Sequence, residues 1–245
     1  SFTYLALSRY GAGYLSQQCG IPPANVCTMP LPAYAPLYAG ILPDAGVAST
    51  LTAWKGQDTL FVYMSGLSAD HGLQDLMAAF TAAAAGGLPY KFLVAGNTRS
   101  DAQARLAARL ASAAQHLPNV RCQFGFYSDQ EAVTWLALAD AVMLPYRWIA
   151  QSAVKSQALS FGVPVLVTDV GGLAEDVVEG GNGCVVPDPS PQAWARAFAA
   201  VRAGMWPRER IRGHFAALAG PEVANRCLRE ALAQANGPRP PAGRC

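Results

Sequence analysis

Residues 144–172 read LPYRWIAQSAVKSQALSFGVPVLVTDVGG, and this stretch decides the fold. Two apolar runs, residues 141–144 and 163–168, each end in a polar loop and bracket a segment of helical character. That layout is a βαβ unit, and in an open parallel sheet ligands sit beyond the carboxyl ends of the strands. A helix starting there presents unpaired N–H groups and the positive end of its dipole, which suits phosphate. With both runs as strands, the loop 145–152 and the pair Gly171-Gly172 open onto one edge. The expected chemistry is anion binding.

Outward from this unit the same alternation continues. Strands are expected at residues 60–64, 91–95, 120–124, 141–144, 164–168 and 184–186, and helices at 73–84, 102–115, 129–138, 153–161 and 173–178. Ser128 with Glu131 three residues on forms a capping box, and Ser100 or Asp101 and Ser190 suit helix starts. Near-continuous apolar strands imply burial on both faces. The predicted class is therefore α/β, a Rossmann-like parallel sheet of about six strands covered by helices.

The flanks differ. Strand-like residues 4–7, a helix-like stretch 11–19 and a run 26–29 lead into Pro30, Pro32, Pro36 and Pro43. A lone strand and helix cannot bury their own apolar faces, so residues 1–32 are expected to end a preceding domain, with 33–58 as interdomain linker by composition. Residues 59–220 form the main domain. A C-terminal helix at 221–236 and a disordered Pro/Gly/Arg tail at 237–245 complete the expectation.

Composition narrows the function. The 245 residues are 52% hydrophobic and 14% charged, enough for a substantial core, and the net charge of +2 has no basic run behind it, which argues against nucleic acid. Six cysteines are scattered without any C-x-x-C, and the three histidines lack ligand spacing, so reduced thiols, no metal and a cytoplasmic location are expected.

Gly66-Leu67 with His71-Gly72-Leu73, Ala95-Gly96, Asn119-Val120 with Phe124-Gly125, residues 139–145, residues 158–165, Gly171-Gly172 with Glu175, and Gly183 with Pro187 resemble, in order and spacing, the carboxy-terminal domain of family 4 glycosyltransferases of the GT-B fold. The likeness covers residues 60–200. It implies a glycosyltransferase, incomplete without an N-terminal acceptor domain whose end would be residues 1–32. Its donor would be a UDP- or GDP-sugar and its acceptor a glycan or lipid-linked glycan, with retention and no cofactor, in bacterial polysaccharide assembly.

The resemblance assigns Gly66, Leu67, His71, Gly72, Ser152, Ala153, Val154 and Lys155 to the donor diphosphate. It assigns Gly96, Phe126, Tyr127, Tyr146, Arg147 and Gln157 to the nucleotide, and Gly171, Gly172 and Glu175 to the neighbourhood of the sugar. A leaving diphosphate gathers negative charge, so amide hydrogens at the start of the helix after Ser152, with Lys155 and Arg147 as nearest cations, answer its chemistry. Trp148 is the tryptophan expected near a sugar, while Trp135 and Trp194 have helical spacing with apolar neighbours.

The sequence also departs from the family. Positions where relatives carry a clamping arginine and lysine hold Gly66 and His71, and the two family glutamates fall on Ile149 and Gln157. These substitutions leave a second reading open, a degenerate, non-catalytic binding or scaffold module. Ser152 as plain cap, Lys155 and Arg196, Arg202, Arg208, Arg210 and Arg212 as solvated surface, and Glu175 as a first-turn acid are the structural alternatives. Contact of the basic faces with the inner membrane surface is the other reading of those arginines.

Overall fold

The computed structural model describes residues 2–201 and 205–236; the expected tail 237–245 and Arg202 lie outside them. The chain opens with β1 (Tyr4–Ala6), α1 (Arg9–Gln17) and β2 (Val26–Thr28), a parallel pair with its crossover helix. Next come α2 (Ala45–Lys55), β3 (Thr59–Met64), α3 (Leu73–Ala85), β4 (Tyr90–Gly96), α4 (Asp101–Ala114), β5 (Val120–Phe124), α5 (Asp129–Leu138) and β6 (Ala141–Leu144). Then follow α6 (Ala153–Ser160), β7 (Val165–Thr168), β8 (Gly183–Val186), α7 (Pro191–Ala200), α8 (Arg208–Ala219) and α9 (Pro221–Asn236).

Six strands form one sheet in the order β5-β4-β3-β6-β7-β8, every pairing parallel. The expected α/β class and strands are found. Leu60 to Met64 and Ala141 to Leu144 are buried throughout, as strands covered on both faces must be. Right-handed crossovers running outward from β3 through β4 to β5 put α3 and α4 on one face, and the reversed direction from β5 to β6 and β7 puts α5 and α6 on the other. The packing agrees: α3 meets α4 and α7, α2 meets α5, and α6 meets α8. On the first face Phe80 stacks on Phe92 at 4.1 Å, and Phe198 lies 4.7 Å from Phe61. Trp135 and Trp194 are core residues. Ser128 and Glu131 form the expected capping box, and Ser100 and Ser190 cap their helices.

Two expectations need correction. The stretch 33–58 is not all linker: Asp44 accepts from the Val47 N–H and starts α2, whose Leu51 is buried. The proline content drew the reading, but the prolines stop at Pro43. No helix forms at 173–178, which runs in turns. Its backbone is held by side chains instead: Asn182 donates to the Asp176 carbonyl at 2.9 Å and accepts from the Val178 N–H at 2.7 Å.

The amino-terminal unit leaves Phe2 78% exposed and Leu5 and Leu7 partly so. It is tied to the rest by the Met29 to Ala33 strap, where Ser156 Oγ donates to the Pro32 carbonyl at 2.7 Å and the Ala33 N–H to the Ala219 carbonyl at 2.7 Å. At the far end, α9 packs on α8 and reaches β2, with Cys27 Sγ 2.7 Å from Gln234 Oε1.

Candidate functional site

β3 and β6 lie side by side, yet the chain leaves β3 toward β4 on one side and leaves β6 toward β7 on the other. The crevice beyond their carboxyl ends is the switch point where open α/β sheets take ligands. One wall is the loop 65–72, the other the loop 145–152.

The walls are joined by a continuous polar network. His71 stacks on Tyr146 with ring centroids 4.5 Å apart. The Tyr146 hydroxyl donates to Ser65 Oγ at 3.0 Å. Ser65 Oγ is 3.3 Å from His71 Nδ1, and that nitrogen is 2.5 Å from the Gly66 carbonyl. The same carbonyl accepts from the Tyr63 hydroxyl at 3.1 Å. Burial raises the pKa of both phenols, Tyr63 well above the ordinary range, so they remain neutral donors. The contacts thus run from the loop after β6 to the first loop.

Sterics bring the walls this close. Gly72 has φ +61°, and a Cβ there would stand 1.9 Å from the Pro145 carbonyl oxygen. Gly66 has open space around it. Gly96 packs under the site, since its Cβ would meet the Leu67 side chain at 2.7 Å. Leu67 is fully buried and its N–H donates to the Asn97 carbonyl at 3.3 Å, so the expected diphosphate contact at this residue is not open.

At α6, Ser152 Oγ accepts from the Lys155 N–H at 3.2 Å. The N–H groups of Ala153 and Val154 find no acceptor among the described residues. This is the donor array expected at a helix start.

The expected cations are placed differently. Lys155 is 1% exposed, and its ammonium donates to the carbonyls of Gly172 and Leu173 at 3.2 and 2.9 Å and to Asp176 at 3.3 Å. Burial lowers its pKa, opposed by Asp176. It is neither the solvated lysine nor the diphosphate clamp of the sequence reading, because all three of its hydrogens are taken. Arg147 is bound to Asp75 through two bonds of 3.0 and 2.6 Å, which raises its pKa. Its backbone N–H donates to the Asp70 carbonyl at 2.7 Å. Arg147 therefore clasps the first loop. Tyr146, expected at the nucleotide, is buried beneath His71 and supports it.

Glu175 is also placed unexpectedly. Its carboxylate accepts the N–H groups of Arg9 and Tyr10 at 2.9 and 2.6 Å, capping α1 from 166 residues away. It is not a first-turn acid, as no helix follows it. Gly171 has φ +54°, and its Cβ would lie 1.8 Å from the Ile149 carbonyl; a Cβ on Gly172 would strike the Ala150 carbonyl at 2.3 Å and Ser8 Cβ at 2.8 Å. Close packing of three segments explains both glycines. Ile149, in place of the family carboxylate, accepts the Gly172 N–H at 3.3 Å through its carbonyl.

Gln157 is 7% exposed, makes no side-chain hydrogen bond among the described residues, and keeps its amide in touch with solvent. Phe126 is 90% exposed on the loop after β5, whereas Tyr127 packs on Trp135 at 5.0 Å. Trp148 is 57% exposed. Arg208 is not a surface residue: its guanidinium donates to the carbonyls of Leu136 and Ala139 at the end of α5. Tyr63 and Ser65 escaped the sequence reading; their spacing of two at the end of the first strand puts them on one face and was the available signal.

Fold and crevice together define a Rossmann-like domain of the kind that forms the carboxy-terminal half of GT-B glycosyltransferases. The chain belongs to the family Glycosyl transferases group 1, which matches residues 58–203. Among curated relatives, a D-inositol 3-phosphate glycosyltransferase of Jonesia denitrificans is 36% identical over 78 residues, 32% of this chain and 18% of that protein. One from Corynebacterium urealyticum is 38% identical over 69 residues, 28% of this chain and 16% of that protein. Among solved structures, HepE of Anabaena in complex with UDP and glucose superposes with a TM-score of 0.77 at 16% identity, over 95% of this chain and 63% of its own. A glycosyltransferase of Rickettsia africae gives 0.77 at 11% identity, over 97% and 64%. The chain thus spans less than two thirds of the structures it matches. Among the described residues no group of three or more His, Cys, Asp or Glu is arranged for a metal, and no helix is long and apolar enough to cross a membrane.

Proposed function

We propose that this chain is the donor-binding half of a glycosyltransferase that moves a sugar from a UDP- or GDP-sugar to a glycan or lipid-linked acceptor, with retention. Residues 1–32 are then the end of its acceptor domain. The observation that carries the reading is the network across the switch point, from Tyr146 through Ser65 to His71 and Gly66, beside the capped start of α6 with the open amides of Ala153 and Val154.

In this reading the amides and the α6 dipole stabilise the charge that develops on the leaving diphosphate. The Gln157 amide has no protein partner among the described residues and reaches solvent, so it is free to hydrogen-bond a ribose hydroxyl. Phe126 stands free to cover a base. HepE of Anabaena, solved with UDP-glucose, supports a uridine donor by likeness of fold. Peripheral contact with a membrane surface stays a secondary proposal resting on the exposed arginines of α8.

Isothermal titration with UDP-glucose and GDP-mannose tests the donor assignment. Saturable binding of one of them, weakened at least tenfold by Ser152→Pro, is the expected outcome, because proline at the cap position reshapes the entry to α6. Absence of binding for both at millimolar concentration refutes it.

A further inference from the structure

We propose that the donor diphosphate is held by the imidazolium form of His71, so that donor binding takes up a proton; this rests on the donor-binding reading above. The geometry of the ring decides which nitrogen is available. Nδ1 sits 2.5 Å from the Gly66 carbonyl oxygen, and a carbonyl only accepts, so Nδ1 carries a hydrogen. In a neutral ring Nε2 then holds a lone pair, which repels a phosphate oxygen. Nε2 becomes a donor only when the ring gains its second proton. It has no hydrogen-bond partner among the described residues.

Ring reversal is opposed by the same contacts, because the face lies on Tyr146 and the Nδ1 edge is bound to the loop carbonyl. The ionisable groups against the ring are the phenols of Tyr63 from β3 and Tyr146 from the loop after β6. Nearby charges are Asp70, preceding it in the same loop, and Asp75 in the first turn of α3, which is paired with Arg147. On α6, Lys155 is paired with Asp176. No carboxylate hydrogen-bonds the imidazole among the described residues. With Lys155 and Arg147 both engaged, His71 supplies the charge that the first loop otherwise lacks.

Calorimetric titration with UDP-glucose, in buffers of different ionisation enthalpy between about pH 5 and 8, reads the linkage directly. The doubly esterified diphosphate of this probe does not titrate there, so any proton taken up enters the protein. Wild type is expected to absorb up to one proton per molecule bound, with affinity falling by as much as about tenfold per pH unit toward the alkaline end. His71→Lys should bind with no uptake and a flat profile. His71→Gln, neutral throughout, should bind more weakly, also without uptake. Binding by wild type with no proton exchange, or uptake that persists in His71→Lys, overturns the proposal and leaves donor binding standing. Failure of wild type and His71→Lys to bind at any pH overturns both.

Discussion

Replacing Gly72 with alanine inserts a methyl group where the two loops of the crevice touch. The Cβ would stand 1.9 Å from the Pro145 carbonyl oxygen and 3.0 Å from its carbon, at a residue with φ +61°. The left-handed conformation alone costs alanine about 1–2 kcal/mol. Because the obstacle is backbone, the loop 145–147 has to retreat, which breaks the 2.7 Å bond from the Arg147 N–H to Asp70 and loosens the His71–Tyr146 stack. Those losses are worth about 1 kcal/mol each. The total is about 3–4 kcal/mol, or a melting temperature lower by roughly 10 °C. Gly66→Ala is the internal control: its Cβ enters open space and no positive φ is involved, so a change within about 0.5 kcal/mol is expected. Chemical denaturation of both variants provides the assay. A Gly72→Ala protein within about 1 kcal/mol of wild type, or equal losses in the two variants, would refute the claim that the walls meet at this hydrogen.

Two further outcomes follow from the redirected charges. Lys155→Met should lose about 3 kcal/mol in urea denaturation, since the carbonyls of Gly172 and Leu173 and the Asp176 carboxylate are left without their donor. Burial lowers the Lys155 pKa, so just below about pH 10.4 the unfolded chain holds more protons at this site and its contribution to stability rises with pH; the variant lacks that rise. Glu175→Gln should speed amide exchange at residues 9 and 10 by roughly tenfold while leaving β3 and β4 unchanged, because a neutral amide oxygen accepts one of the two bonds and adds no charge at the α1 dipole. Equal protection in both proteins counts against the cap.

The central sheet was legible because its strands are short runs of nearly unbroken apolar residues, and the capping box at Ser128 and Glu131 is a local signal that needs no tertiary partner. Helix α2 was obscured by the prolines before it, although Asp44, Val47 and Leu51 mark its cap and its buried face. The segment 173–178 carried helical residues, yet its carbonyls are claimed by Lys155 and Asn182. Such contacts have no signature in sequence order. The site shows the same division. Ser152 and the α6 amides were readable from their place at a helix start and Gly72 from the family likeness, whereas the roles of Lys155, Arg147, Tyr146 and Glu175 depend on partners brought near by the fold.

The Glu175 contact reaches main-chain hydrogens of Arg9 and Tyr10 and adds the Arg9 guanidinium, 3.3 Å from the Glu175 carbonyl, so it is at position 10 that the side chain is free from recognition. Position 10 is then open to wide chemical variation, proline excepted, while position 175 is held to a group with two negative oxygens. Selection from a library randomised at these two sites would meet this asymmetry as tolerance at one end of the contact and intolerance at the other.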